Sequence, residues 1–170
     1  AQQMTNSDEF HTDVLQSAFN AYLHRSLDKT GVGFYLKEFH QGATIEQVKS
    51  QVLASTEYYQ KNGGTNFGFL FGVYRDVLGQ ALDDAGRVMW GTMLAQGTPR
   101  ATVALDILQT QTAVSVVVQQ GYQTYLGRPA DGNAGFFFNN ILQGNLRDEG
   151  FYAALLSSPE YGINSTTRYY

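Results

Sequence analysis

The chain has 170 residues, 43% hydrophobic and 14% aromatic, enough to bury a substantial core and to exclude a disordered chain. Its net charge of -4, with 11 basic residues scattered along it, argues against nucleic acid as a partner. It lacks cysteine, which excludes disulfide frameworks, thiol catalysis and cysteine-based zinc sites, and no run of about 18 apolar residues reads as a membrane span.

Asn6 with Glu9 forms a capping box for a first helix. Its apolar stripe is Phe10, Val14, Leu15, Ala18, Phe19, Tyr22 and Leu23, and it should end near Arg25. Asp28 is expected to cap a second helix carrying Val32, Tyr35, Leu36 and Phe39, which Gly42 closes. Thr44 with Gln47 opens a third through Ile45, Val48, Val52 and Leu53. Ser55 caps a short helix containing Glu57, Tyr58 and Tyr59, and Asn62-Gly63-Gly64 breaks the chain.

The pattern then restarts. Phe67, Leu70, Phe71, Tyr74, Val77 and Leu78 repeat the first stripe, Asp83 caps the next helix, and Gly97-Thr98-Pro99 ends it, with Pro at the first helical position of another. Val114, Val117, Val118, Tyr122, Tyr125 and Leu126 read as one buried helix, because a lone strand at Val116-Val117-Val118 would have no partner. Asp131-Gly132-Asn133 is a loop, Phe136 to Leu142 a helix stopped by Gly144, and Phe151, Ala154, Leu155 and Leu156 mark the next helix. Beyond Tyr161 no periodicity is visible.

One arrangement is thus written three times. Phe19, Leu23, Asp28, Gly31, Tyr35 and Gly42 return as Tyr74, Leu78, Asp83, Gly86, Trp90 and Gly97, then as Tyr122, Leu126, Asp131, Phe138 and Gly144. Tandem units with such a period bury faces against one another, so the recurring residues read as architectural. The fold class expected is all-α, with three helical repeat units of about 50 residues packed into one compact or solenoid-like body. The units run over 1–64 (with an N-terminal extension), 65–113 and 114–162, followed by a tail over 163–170.

Leu126-Gly127-Arg128-Pro129-Ala130-Asp131 and Ser158-Pro159-Glu160-Tyr161 carry the fullest form of the motif, with Tyr74 to Gly79 and Asp83 to Gly86 close behind. In this the chain, over about residues 10 to 162, resembles the bacterial domain-of-unknown-function family 4214, a helical module similar to phycobilisome linker domains. The resemblance implies an all-α fold and a structural or adhesive role in exported, repeat-rich surface proteins; it implies no catalytic residues. The first recurrence departs from it with His24 and Ser26 where the third has Gly and Pro, and the second replaces Glu-Tyr with Thr112-Ala113.

No constellation of residues defines a catalytic, cofactor or metal site, and the expected reading is a protein that is not an enzyme. Asp28, Asp83 and Asp131 lack the ligand spacing and the bidentate Glu of a calcium loop and read as helix caps. His11, His24 and His40 are not spaced as a metal pair on one helical face. Arg25, Arg75 and Arg128 are expected to pair with Glu57, Glu160 or helix carbonyls rather than with a substrate. Asn164-Ser165-Thr166 makes Asn164 a glycosylation candidate.

The start at Ala1-Gln2-Gln3 reads as a chain trimmed by signal peptidase, and low charge with many Tyr and Phe reads as a surface covered by partners. The expectation is a secreted, extracellular or cell-surface structural protein whose partners are copies of itself, in a filament, layer or other assembly. Ala1, Gln2, Gln3, Arg168, Tyr169 and Tyr170 are the assembly-contact candidates. The alternatives are an adhesive or carbohydrate-binding surface module, with glycan as partner, and a scaffold akin to the phycobilisome linkers. No cofactor is expected.

Overall fold

A computed structural model describes the backbone of residues 7–167 and the side chains of 7–163. The described residues form eleven α-helices and three short π-helical segments, with no strand among them. They divide into two compact units, one of residues 12–110 and one joining 7–11 to 111–167.

Helix α1 (Asp8–Ala18), whose residues from Thr12 onward belong to the larger unit, runs without a break into π1 (Phe19–Leu23). The capping oxygen at its start is Ser7 Oγ, which accepts from the Phe10 N–H at 3.2 Å; Asn6 lies outside the described residues. Asp28 caps α2 (Lys29–His40) by accepting from the Gly31 N–H at 2.8 Å. Thr44 and Gln47 complete the expected capping box of α3 (Ile45–Ala54), and Ser55 caps α4 (Thr56–Lys61) through the Tyr58 N–H. Gly42 and Gly97, both near φ +90°, make the turns that follow α2 and α6.

After the Asn62-Gly63-Gly64 break, α5 (Asn66–Val73) runs into π2 (Tyr74–Leu78), followed by α6 (Asp84–Ala95) and α7 (Arg100–Leu108). Pro99 stands one position before α7 and not at its first residue, the ordinary slack of a helix boundary. Helices α3 and α7, which begin 55 residues apart, form the largest helix pairing of this unit. Val48, Val52, Val103 and Ile107 on them are all excluded from solvent. Burying each such side chain stabilises the fold by about 1.5–3 kcal/mol relative to exposure.

The smaller unit is built on α8 (Gln111–Gly121), which continues as π3 (Tyr122–Leu126), so the β-branched valines are helical as expected. Its core joins Val114, Val118, Tyr122, Leu126, Ala134, Phe151 and Leu155. These come from α8, π3, α9 (Ala134–Leu142) and α10 (Asp148–Leu156). The last helix, α11 (Pro159–Thr167), extends six residues past Tyr161, where no periodicity was expected to support one. Ser158 accepts from the Tyr161 N–H at 3.1 Å and Pro159 stands at the first helical position, so the start is strongly specified and the helix propagates from it.

Candidate functional site

The three π segments share one ending. Each stops at a left-handed residue: His24 at φ 51°, Gly79 at φ 63° and Gly127 at φ 69°. Glycine reaches this conformation freely, and His24 does so against a steric cost of about 1 kcal/mol. After two of these reversals the next residue, Arg25 or Arg128, lays its guanidinium over an aromatic ring of the segment it has just left, Phe19 or Tyr122.

At two of the three places this builds the same polar clamp. Arg25 grips Glu57 through Nε and Nη2 at 2.7 and 2.8 Å, while its Nη1 reaches Asp28 Oδ2 at 3.2 Å and the Ser26 carbonyl at 3.0 Å. Its guanidinium carbon lies 4.9 Å from the centroid of the Phe19 ring. Arg128 repeats the pattern. Its Nε and Nη2 donate to the two oxygens of Glu160, Nη1 to Asp131 Oδ2 at 3.0 Å and the Pro129 carbonyl at 3.2 Å, and the cation sits 5.0 Å from the Tyr122 centroid. The Arg-to-Glu separation is 32 residues in both, and the Arg-to-Asp separation is 3.

A third element was not visible from the sequence. Gln16 accepts from the Leu27 N–H and Gln119 from the Ala130 N–H, each across 11 residues, tying the loop to the helix that precedes it. A glutamine three residues before the first aromatic of the motif, in the first and third recurrences alone, is the signal that would have revealed it. The middle recurrence keeps the aspartate, as Asp83, and has lost the other three at once: Phe71 stands for Gln, Gln80 for Arg and Thr112 for Glu. There the aromatic contact is reinforced instead, with Trp90 Nε1 donating to the Tyr74 hydroxyl at 2.9 Å.

Asp83 caps its helix as Asp28 does, accepting from the Gly86 N–H at 2.7 Å. Asp131 does not cap α9. Its Oδ1 accepts from the Asn133 N–H, two residues on, in an Asx turn, and the helix begins only at Ala134. Arg75 pairs with its neighbour Asp76, whose carboxylate is nearly buried and also accepts from the Tyr58 hydroxyl at 2.8 Å. Burial first, then that bond to Asp76, pushes the Tyr58 pKa far up, so the phenol stays neutral. Lys61 Nζ donates to the Leu23 carbonyl at the end of π1.

Charge pairing shifts the clamp carboxyls. The Arg25 guanidinium holds Glu57 below its ordinary range, and Arg128 does the same for Glu160. Asp28 is held down first by the Gly31 N–H and then by Arg25. Their stabilisation is therefore fully present above the unfolded values, 4.5 for Glu and 3.8 for Asp, and is lost as pH falls through the lower folded values. Acidification from pH 7 to about 3.5 is expected to lower the urea midpoint of the native chain more than that of a Glu57→Gln, Glu160→Gln double variant. Equal losses would show that the clamps do not couple folding to pH.

Beside the first clamp lies an open cavity of about 400 Å³. Arg25, Asp28 and Glu57, with Thr30 and Ser55, supply its polar lining, and Phe34 and Tyr35 are among the aromatic residues that line it. Phe34 is 55% exposed and meets Tyr35 edge to face at 5.0 Å. The Tyr35 hydroxyl makes no hydrogen bond among the described residues, and burial raises its pKa, which favours the neutral phenol.

Among the described residues no group of three or more His, Asp or Glu side chains could hold a metal ion. His11 is buried, His24 ends π1 and His40 lies at the end of α2. Of the other residues singled out by sequence, Ala1, Gln2, Gln3, Arg168, Tyr169 and Tyr170 lie outside the described residues. Asn164 falls within α11, with its side chain beyond those described. No single helix among the described residues is long and apolar enough to cross a membrane. The chain matches no family model, and no curated protein or solved structure is significantly similar to it.

Proposed function

We propose that the chain is a secreted structural protein of three tandem helical units that assembles with copies of itself into an extracellular filament, layer or other surface structure. One observation carries this reading. Phe67 and Phe71 stand one helical turn apart on α5, 58% and 46% exposed, with stacked rings 6.5 Å apart. The corresponding positions are polar in the other two recurrences, Thr12 and Gln16 in one, Ser115 and Gln119 in the other. The motif folds without apolar side chains there, so the pair is better explained by an external partner than by the core. Val88 and Met89 on α6, the helix packed on α5, are also exposed. The scarcity of charge, 15% of residues, lowers the electrostatic cost of bringing like surfaces together.

Light scattering behind size exclusion, from about 1 µM to about 1 mM, is expected to give a mass that rises above the 18.8 kDa of one chain. Phe67→Ser with Phe71→Gln, which installs polar residues of the kind the other recurrences carry, is expected to reduce it. A monomer across the whole range would overturn the reading.

A further inference from the structure

We propose that the cavity beside Arg25 binds a neutral sugar residue, laid with its C–H face on Phe34 and its hydroxyls on Glu57, Asp28 and the Tyr35 hydroxyl. The volume of about 400 Å³ lies within the range of small-molecule sites. Its walls then decide the chemistry of the ligand.

An anion is disfavoured. Arg25 is the cation lining the cavity, and four hydrogen bonds, two to Glu57, one to Asp28 and one to the Ser26 carbonyl, occupy all but one of its N–H donors. With Asp28 and Glu57 both ionised, the cluster also carries an excess negative charge. A cation meets the guanidinium set between those two carboxylates. A wholly apolar ligand would strip water from the carboxylates and from the Tyr35 hydroxyl without replacing its hydrogen bonds.

A pyranose ring resolves these conflicts, because one of its faces is C–H and its edge is hydroxyl. Each Glu57 oxygen accepts one bond from Arg25 and has capacity for another, so ligand hydroxyls can donate to groups that are already held in place. The Arg25 clamp thereby pre-orients the acceptors, which lowers the ordering cost of binding.

Comparison within the chain supports a role for Tyr35 beyond packing. Trp90 and Phe138 hold the corresponding place in the other recurrences, so the helix does not require a hydroxyl there. Trp90 uses its polar atom on Tyr74, whereas Tyr35 faces Phe19, with ring centroids 5.8 Å apart, and Phe19 offers no partner for the hydroxyl. Phe34 departs in a different way: its third counterpart, Phe137, packs against the core cluster, while Phe34 stays exposed.

The test is an amide-resolved NMR titration of the full chain with methyl β-D-glucoside, methyl β-D-galactoside, methyl α-D-mannoside and N-acetyl-D-glucosamine, with D-glucuronate as the charged control. At least one neutral sugar is expected to shift the amides of Thr30 to Tyr35 saturably. Phe34→Ala is expected to weaken it roughly tenfold and Tyr35→Phe roughly threefold, with melting curves close to the parent. Should Phe34→Ala not fold, Phe34→Leu removes the flat face while keeping apolar bulk, and the same weakening is expected. No saturable shift with any neutral sugar, shifts indifferent to these substitutions, or glucuronate binding as tightly as the glucoside would each overturn the proposal. The site lies within one chain, so it stands or falls separately from self-assembly.

Discussion

Phe151→Ala is expected to destabilise the smaller unit by about 3–5 kcal/mol, the range for truncating a fully buried phenylalanine. The ring is wholly excluded from solvent and is the hub of an aromatic cluster, 5.1 Å from Phe137, 5.3 Å from Tyr152 and 6.4 Å from Tyr122 between centroids. Collapse into the vacated space is obstructed from one side. Gly121 brings its backbone so close that a Cβ there would lie 2.5 Å from the Phe151 ring, so α8 already approaches as near as a helix without a side chain allows. Calorimetry should show the melting transition of this unit lowered by about 10 °C or more. Phe136→Ala serves as the comparison, because Phe136 is 66% exposed and its loss should cost within about 0.5 kcal/mol. Similar effects for the two would show that the core is not organised around Phe151.

The helices of this chain were legible because their ends are written in side chains with specific hydrogen-bonding roles. Thr44 with Gln47, Ser55, Asp28 and Asp83 all satisfy backbone donors where their spacing places them. The Arg–Glu pairs were also foreshadowed, since Arg25 and Arg128 stand at matching places in the motif, with Glu57 and Glu160 32 residues on. Asp131 shows where that logic fails. The same residue type can bond the N–H two residues on or three residues on, and Gly132-Asn133 permits the tighter turn in place of Lys29-Thr30 or Asp84-Ala85.

The π segments and the cavity had no comparable signature. A π turn uses the same residues as an α turn, and only the left-handed stop beyond it is recorded in sequence, as Gly79 and Gly127; His24 conceals even that in the first recurrence. The cavity depends on Phe34 turning outward while the corresponding Phe137 packs inward. That difference is set by packing in each unit and not by the local pattern. The loss of Gln, Arg and Glu together in the middle recurrence is visible in the sequence only after the structure has shown that the three act on one loop.

Gly68→Ala is expected to damage the larger unit most among single-methyl additions. A Cβ on Gly68 would lie 1.8 Å from the backbone carbonyl oxygen of Asn62, and one on Gly72, a helical turn later, 2.5 Å from the Asn62 side chain. The two glycines therefore open a groove along α5 into which the Asn62 break folds. Asn62 is fixed there from its own side, with Nδ2 donating to the Tyr58 carbonyl at 3.0 Å. A backbone carbonyl cannot rotate away as a side-chain tip can, so the added methyl has to displace the loop between α4 and α5. The cost should reach or exceed the upper part of the range for overpacking, about 3 kcal/mol. Gly33→Ala is the matched control, since a Cβ there meets nothing within 4 Å and the residue lies inside a helix, where alanine is favoured. Urea unfolding should show Gly68→Ala strongly destabilised and Gly33→Ala at or above the parent. Near-equality of the two would mean that the loop does not rest on α5, and that the Asn62-Gly63-Gly64 break is a free hinge and not a packed joint.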